Sequence, residues 1–184
     1  MLRNKMLGAM AAATLIVGAP AIAKTNPRVG GAAMYPNKTI VENASTTNNL
    51  TTLVTAVKAA GLVDTLSGPG PFTVFAPTDA AFKKLPAGTL DTLTRPENKA
   101  QLTNILTYHV VSGRMTAKDI AAAIRAGGGT ATLTTVQGEP LTAKMTGGRL
   151  ILTDAKGGTS MVSTKDVMQS NGVIHVVDSV LLPG

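Results

Sequence analysis

The side chains able to do chemistry are few: two imidazoles, His109 and His175, ten Asp and Glu residues, and no cysteine. A transition-metal site needs three or four His, Cys or carboxylate ligands held together. No His-x-x-x-His pair or local carboxylate cluster supplies them, so folding would have to bring Asp79, Asp166 or Asp178 to an imidazole. A serine hydrolase of the α/β type sets its nucleophile in a Gly-x-Ser-x-Gly elbow, and the chain has none. The glycine-rich stretches near Gly128 and Gly158 lack the Lys-Ser/Thr of a phosphate loop. The residues therefore predict no catalytic residue, no metal and no cofactor.

The elements that must position the imidazoles can be read from periodicity. Leu102, Ile105, Leu106 and His109 recur at i, i+3, i+4 and i+7, which puts His109 on the buried stripe of a helix that starts at Pro96. Val110 and Val111 are β-branched and precede Ser112-Gly113, so the helix gives way to a strand around Tyr108. Tyr108 and His109 are expected as a hydrogen-bonded pair at that junction, the imidazole neutral. His175 alternates with Ile174 and Val176 in a strand and points to the opposite face, either exposed or packed on a helix.

The stretch Phe72–Phe82 changes period in its middle. Phe72 to Ala76 reads as a strand with bulky side chains on both faces, Pro77 stops it, Thr78 caps the helix that follows, and Asp79 puts negative charge in its first turn. Upstream, Leu50, Leu53, Val54 and Val57 form another helical stripe, capped by Asn48 and ended by Gly61. Thr116-x-x-Asp119 opens a helix that runs through Ile120 and Ile124 to Gly127-Gly128-Gly129. The last third reads as strands at 130–136, 140–145, 149–153, 160–167 and 173–182, with hairpin-length turns at Gln137-Gly138, Gly147-Gly148 and Asn171-Gly172. Helices followed by a run of strands make an α+β fold with largely antiparallel sheet.

Three stretches, TVFAPTDAAF (73–82), NILTYHVVSG (104–113) and NGVIHVVDSVLLP (171–183), resemble in order the signature segments of the fasciclin-like domain. VGGAAMYPNKTIVENA (29–44) is similar to the lead-in of bacterial single-domain members. The resemblance implies a fasciclin-like fold, a β-sandwich-like wedge of mostly antiparallel strands flanked by helices, in an extracellular module associated with adhesion. It marks Thr78, Asp79, Asn104 and His175 as structural signature positions. In animal members the Tyr-His segment and its apolar flanks are implicated in integrin attachment, which maps onto Tyr108 and His109 with Ile105, Leu106, Val110 and Val111. Ser112 stands where many relatives have proline.

Residues 1–23 read as a secretory leader: Arg3 and Lys5, an apolar run from Met6 to Val17, and the small-x-small site Ala21-Ile22-Ala23. Residues 24–45 read as a tether and lead-in, and 46–184 as one domain, which suits 184 residues of which 44% are hydrophobic. The formal charge of +7 falls to +5 once Arg3 and Lys5 leave with the leader. The remaining cations are scattered and not interleaved with aromatics, which argues against nucleic acid. Without cysteine there is neither a disulfide nor a lipid-modified anchor, and no stretch is long enough to span a membrane after cleavage. The expectation is a monomeric, non-enzymatic module, secreted or periplasmic and surface-associated in its action. It would bind a surface protein or an acidic polysaccharide. The alternative is an extracytoplasmic carrier in which the stripes of Leu50–Val57 and Leu102–His109 border a groove for a small hydrophobic ligand or lipid.

Overall fold

The computed structural model describes residues 26–184, so the leader, Lys24 and Thr25 lie outside it. Helices α1 (Ile40–Ser45), α2 (Thr51–Ala60) and α3 (Val63–Ser67) precede strand β1 (Phe72–Pro77). Helices α4 (Asp79–Lys83) and α5 (Thr89–Leu93), a 3-10 turn (Pro96–Asn98) and α6 (Lys99–Tyr108) lead to β2 (Val110–Ser112) and α7 (Ala117–Ala126). Strands β3 (Thr130–Thr134), β4 (Pro140–Thr146), β5 (Arg149–Thr153), β6 (Thr159–Gln169) and β7 (Gly172–Val177) complete the chain.

The seven strands form one sheet in the order β2-β1-β7-β6-β5-β4-β3. Every neighbouring pair is antiparallel except β1 and β7, which run parallel. The outer strands nearly meet: the Val136 N–H donates to the Val110 carbonyl at 2.7 Å, and Val111 bridges Thr135. The sheet is therefore curled into a wedge. Strand β6 pairs with β5 through Thr159, Ser160 and Met161 and with β7 from Val162 to Gln169, and its register shifts between Val162 and Val167 make the bend.

Two cores lie on the two faces. On one, Leu53 and Val57 of α2 and Leu102 and Leu106 of α6 pack against Val74, Ala76, Ile174 and Val176. On the other, Phe75 and Val177 pack with Leu133, Leu141, Leu152 and the α7 residues Ile120 and Ile124. Strands β1 and β7 sit between these layers, which is why all six residues of β7 are buried and why bulky side chains alternate on both sides. At roughly 25 cal/mol per Å² of apolar surface, this burial is the main stabilising term in a chain with no disulfide.

Several local expectations hold. Thr78 Oγ1 accepts the Ala81 N–H, Gly61 ends α2 with φ +72°, and Thr116 and Asp119 form a reciprocal capping box. Others are corrected. Asn48 does not cap α2: its N-cap is Leu50, which has no side chain able to accept. The last strand stops at Val177 rather than Leu182, because the amides of Leu181, Leu182 and Gly184 turn to side-chain acceptors instead of a neighbouring strand. Residues 26 onward, expected to belong to a flexible tether, pack on the domain. The Asn26 carboxamide exchanges two hydrogen bonds with the Met168 backbone, and Val29 and Met34 are buried.

Candidate functional site

The strand-to-helix corner carries Asp79. Its Oδ1 accepts the Thr52 N–H at 2.8 Å and its Oδ2 the Thr51 hydroxyl at 2.7 Å, so it supplies the side-chain cap that α2 lacks locally. Its own N–H donates to the Asn49 carbonyl at 2.8 Å. Burial by itself would raise the Asp79 carboxyl, but the hydrogen bonds from Thr52 and Thr51 outweigh it and hold the group below the usual carboxylate range. One carboxylate thus begins α4 and pins the start of α2.

At the α6–β2 junction the Tyr108 hydroxyl donates to the Pro140 carbonyl and accepts the Ala155 N–H, both at 3.0 Å. Burial pushes the phenol up. His109 closes the helix: Nδ1 lies 2.8 Å from the Ile105 carbonyl and Nε2 accepts the Leu181 N–H at 3.0 Å. A carbonyl can only accept and an amide N–H can only donate, so the ring is the neutral Nδ1–H tautomer. Burial lowers its pKa to about 4, against the opposing pull of the Ile105 bond and of Asp154. Tyr and His face different partners and do not bond each other through their side chains. The first ties α6 to the start of β4 and to the β5–β6 connection, the second to the C-terminal tail.

His175 is fully buried, its ring stacked on Phe75 with centroids 5.6 Å apart. It points away from Ile174 and Val176, as the alternation requires, and packs at the start of α7: Nε2 lies 2.9 Å from the Met115 carbonyl and Nδ1 accepts the Asp166 N–H at 3.3 Å. The opposite tautomer, Nε2–H, follows by the same logic. Burial lowers this pKa too. Asp166 adopts φ +58° in the β6 bend, and its Oδ1 accepts the Ala117 N–H at 2.6 Å in the first turn of α7. Among the described residues no three His, Asp or Glu come together as a metal site would need.

The six positions mapped to attachment, Ile105, Leu106, Tyr108, His109, Val110 and Val111, are each at most 5% exposed. As folded they offer a partner almost no surface. Asn104 is exposed on α6, on the side away from Leu102 and Leu106, and its backbone carbonyl accepts the Thr107 hydroxyl at 3.1 Å. The apolar stripes of α2 and α6 do border a void lined by Leu53, Val54, Val57, Leu106 and Val110, but it measures about 30 Å³. That is room for a water or two, against the several hundred cubic ångströms typical of a ligand pocket.

Three further residues hold this region together, and none stands out in the sequence. Asp154 accepts the N–H groups of Lys156 and Gly158 through Oδ1 and of Leu182 through Oδ2, fixing the tail beside His109. Asn171 accepts the Ile40 N–H and donates to the carbonyls of Leu66 and Gly68, joining the β6–β7 turn to α1 and α3. Asn43, fully buried, binds both backbone groups of Tyr35 and the Gln169 side chain. Of the three, Asn171 carried a local signal, the Asn-Gly turn, which names no distant partner.

In this curled sheet between helices, each imidazole and the corner carboxylate is hydrogen-bonded to backbone groups. The fasciclin domain family model matches residues 48–183, and the chain belongs to that family. A Synechocystis protein, sll1483, is 48% identical over 155 residues, covering 84% of this chain and 79% of its own length. The immunogenic protein MPB70 of Mycobacterium bovis is 39% identical over 145 residues, covering 76% of this chain and 66% of its own length. A fasciclin domain pair from the insect cell adhesion molecule fasciclin I superposes with a TM-score of 0.71 at 22% identity, covering 80% of this chain and 51% of that one, and so shares the fold.

Proposed function

We propose that this chain is an exported, non-enzymatic adhesion and interaction module that binds a component of a cell surface, a matrix or a host. The observation that carries this reading is the use of the reactive groups. His109, His175 and Asp79 each spend their polar atoms on backbone groups or on Thr51, in places set by helix ends and strand joins. A general base needs a ring nitrogen within reach of a substrate proton, and both imidazoles are buried and fully bonded. The likeness to a fold first described in a cell adhesion molecule supports contact as the task. Among the described residues no helix is long and apolar enough to cross a membrane, which is compatible with an exported module.

The test is attachment. A deletion strain of the source organism should adhere less to its natural surface or partner, and purified mature protein added back should change attachment in a dose-dependent way. Normal adhesion by the deletion strain, with no effect of the added protein, would refute the proposal.

A further inference from the structure

Outside the Tyr-His region, the outer face of the β3–β6 half of the sheet carries an ordered set of polar side chains. Cross-strand pairing places Thr132, Thr142, Thr153 and Thr159 side by side across four strands, and Lys144, Ile151 and Met161 in the adjacent row. Past Met161 the pairing of β5 with β6 ends and the strands part, leaving a groove of about 400 Å³ lined by Gly148, Arg149, Leu150, Met161, Ser163 and Lys165. Segments 130–134, 140–146, 149–153 and 159–165 hold Lys144, Arg149 and Lys165 and no Asp or Glu. Neither ion pair found among the described residues, Lys84–Asp178 and Arg95–Glu97, involves these cations.

The carboxylates that come near are turned elsewhere. Asp178 accepts the Met161 N–H and faces Lys84, Asp166 binds the Ala117 N–H, Asp154 the Leu182 N–H, and Glu139 the Gly184 N–H. The face is thus cationic and rich in hydroxyls by arrangement, although the net charge of the chain is modest. It also carries none of the five aromatic residues, Tyr35, Phe72, Phe75, Phe82 and Tyr108. Nucleobases and neutral sugar rings are commonly held by stacking on aromatic side chains, and this face has none to offer. A polyanionic chain with hydroxyls of its own needs cations and hydrogen-bonding partners instead.

We infer that the β5–β6 groove and the threonine rows beside it are the binding face for an acidic polysaccharide. The inference deepens the adhesion reading by naming the partner's chemistry and the side of the molecule that meets it. A groove of this size admits one or two sugar units, with the chain continuing over Thr153 and Thr159.

The experiment uses the full mature chain and immobilised heparin and polygalacturonate as sulfated and carboxylated probes, with neutral dextran, single-stranded DNA and anionic lipid vesicles as comparators. The triple variant Lys144→Gln, Arg149→Gln, Lys165→Gln is set against Lys58→Gln, Lys83→Gln, Arg125→Gln, which removes equal charge from exposed helical positions. Both should keep the circular dichroism spectrum and melting midpoint of the parent. The expected result is binding of at least one acidic polysaccharide, weakened about tenfold or more by the first triple and less than threefold by the second. The slope of log affinity against log salt should fall by roughly two to three for the first triple. Equal losses in both triples, no binding to either polysaccharide, or equally tight binding to DNA or vesicles would overturn the inference. The attachment phenotype of the deletion strain is a separate readout. Attachment that survives the first triple refutes this face and leaves the adhesion reading standing.

Discussion

Lowering the pH from 7 to 5 should destabilise the fold through its imidazoles before the carboxylates are reached. His109 is neutral in the folded state down to about pH 4, whereas the unfolded chain takes up a proton near the ordinary value of 6.5. Below 6.5 the unfolded state therefore binds more protons than the native state, and stability falls with pH until the folded-state value is reached. The full difference corresponds to roughly 3 kcal/mol, of which about 2 kcal/mol is lost by pH 5. His175 adds to the loss in the same direction, since burial lowers its pKa as well. The chain has no tryptophan, so urea unfolding is best followed by far-ultraviolet circular dichroism. With a slope of about 2 kcal/mol per molar, typical of a domain this size, the midpoint should drop by about 1 M between pH 7 and pH 5 with the slope unchanged. His109→Gln, less stable at pH 7, should show a clearly shallower pH dependence. A midpoint that stays flat from pH 7 to 5, or the same dependence in the variant, would refute the reasoning.

The two rings should also report opposite tautomers: nitrogen-15 spectra at pH 7 should place the proton on Nδ1 of His109 and on Nε2 of His175, and a mixture at either ring would contradict the bonds assigned here. Asp79→Ala removes a cap for α2 contributed from 27 residues away and should cost about 1–2 kcal/mol in urea unfolding, with Asp79→Asn costing less; an unchanged midpoint in the alanine variant would remove the corner from the account. Gly172→Ala would push a methyl group into the Phe72 carbonyl where β1 and β7 pair, so a loss of about 2 kcal/mol or more is expected, and a variant as stable as the parent would show that this pairing has slack.

The parts of the fold legible in the sequence are those whose causes lie within a few residues. Thr78 and Ala81, or Thr116 and Asp119, are three apart, and the hydroxyl that caps a helix is visible beside it. The stripe Leu102, Ile105, Leu106 and His109 correctly puts the imidazole inside because helical spacing needs no knowledge of the partner. What could not be read are the partners supplied by distant segments. Asn48 looked like the cap of α2 by proximity, while the acceptor is Asp79, delivered by β1. The parallel pairing of β1 with β7 joins residues 100 positions apart, and local periodicity is silent on it. The tail after Val177 has the apolar pattern of a strand, and only the positions of His109, Asp154 and Glu139 reveal that its amides are taken by side chains. The Tyr-His segment was found by resemblance, and its distant partners Pro140, Ala155 and Leu181 could not be read from its own sequence.

The claim that this segment is frame and not contact surface is tested most directly by Tyr108→Phe, which keeps the ring and removes the hydroxyl bonds to Pro140 and Ala155. The variant should lose about 1–3 kcal/mol of stability. Measured in the attachment assay at a temperature where circular dichroism shows it fully folded, it should restore attachment to deletion cells as well as the parent does. Loss of attachment by the folded variant would contradict the account.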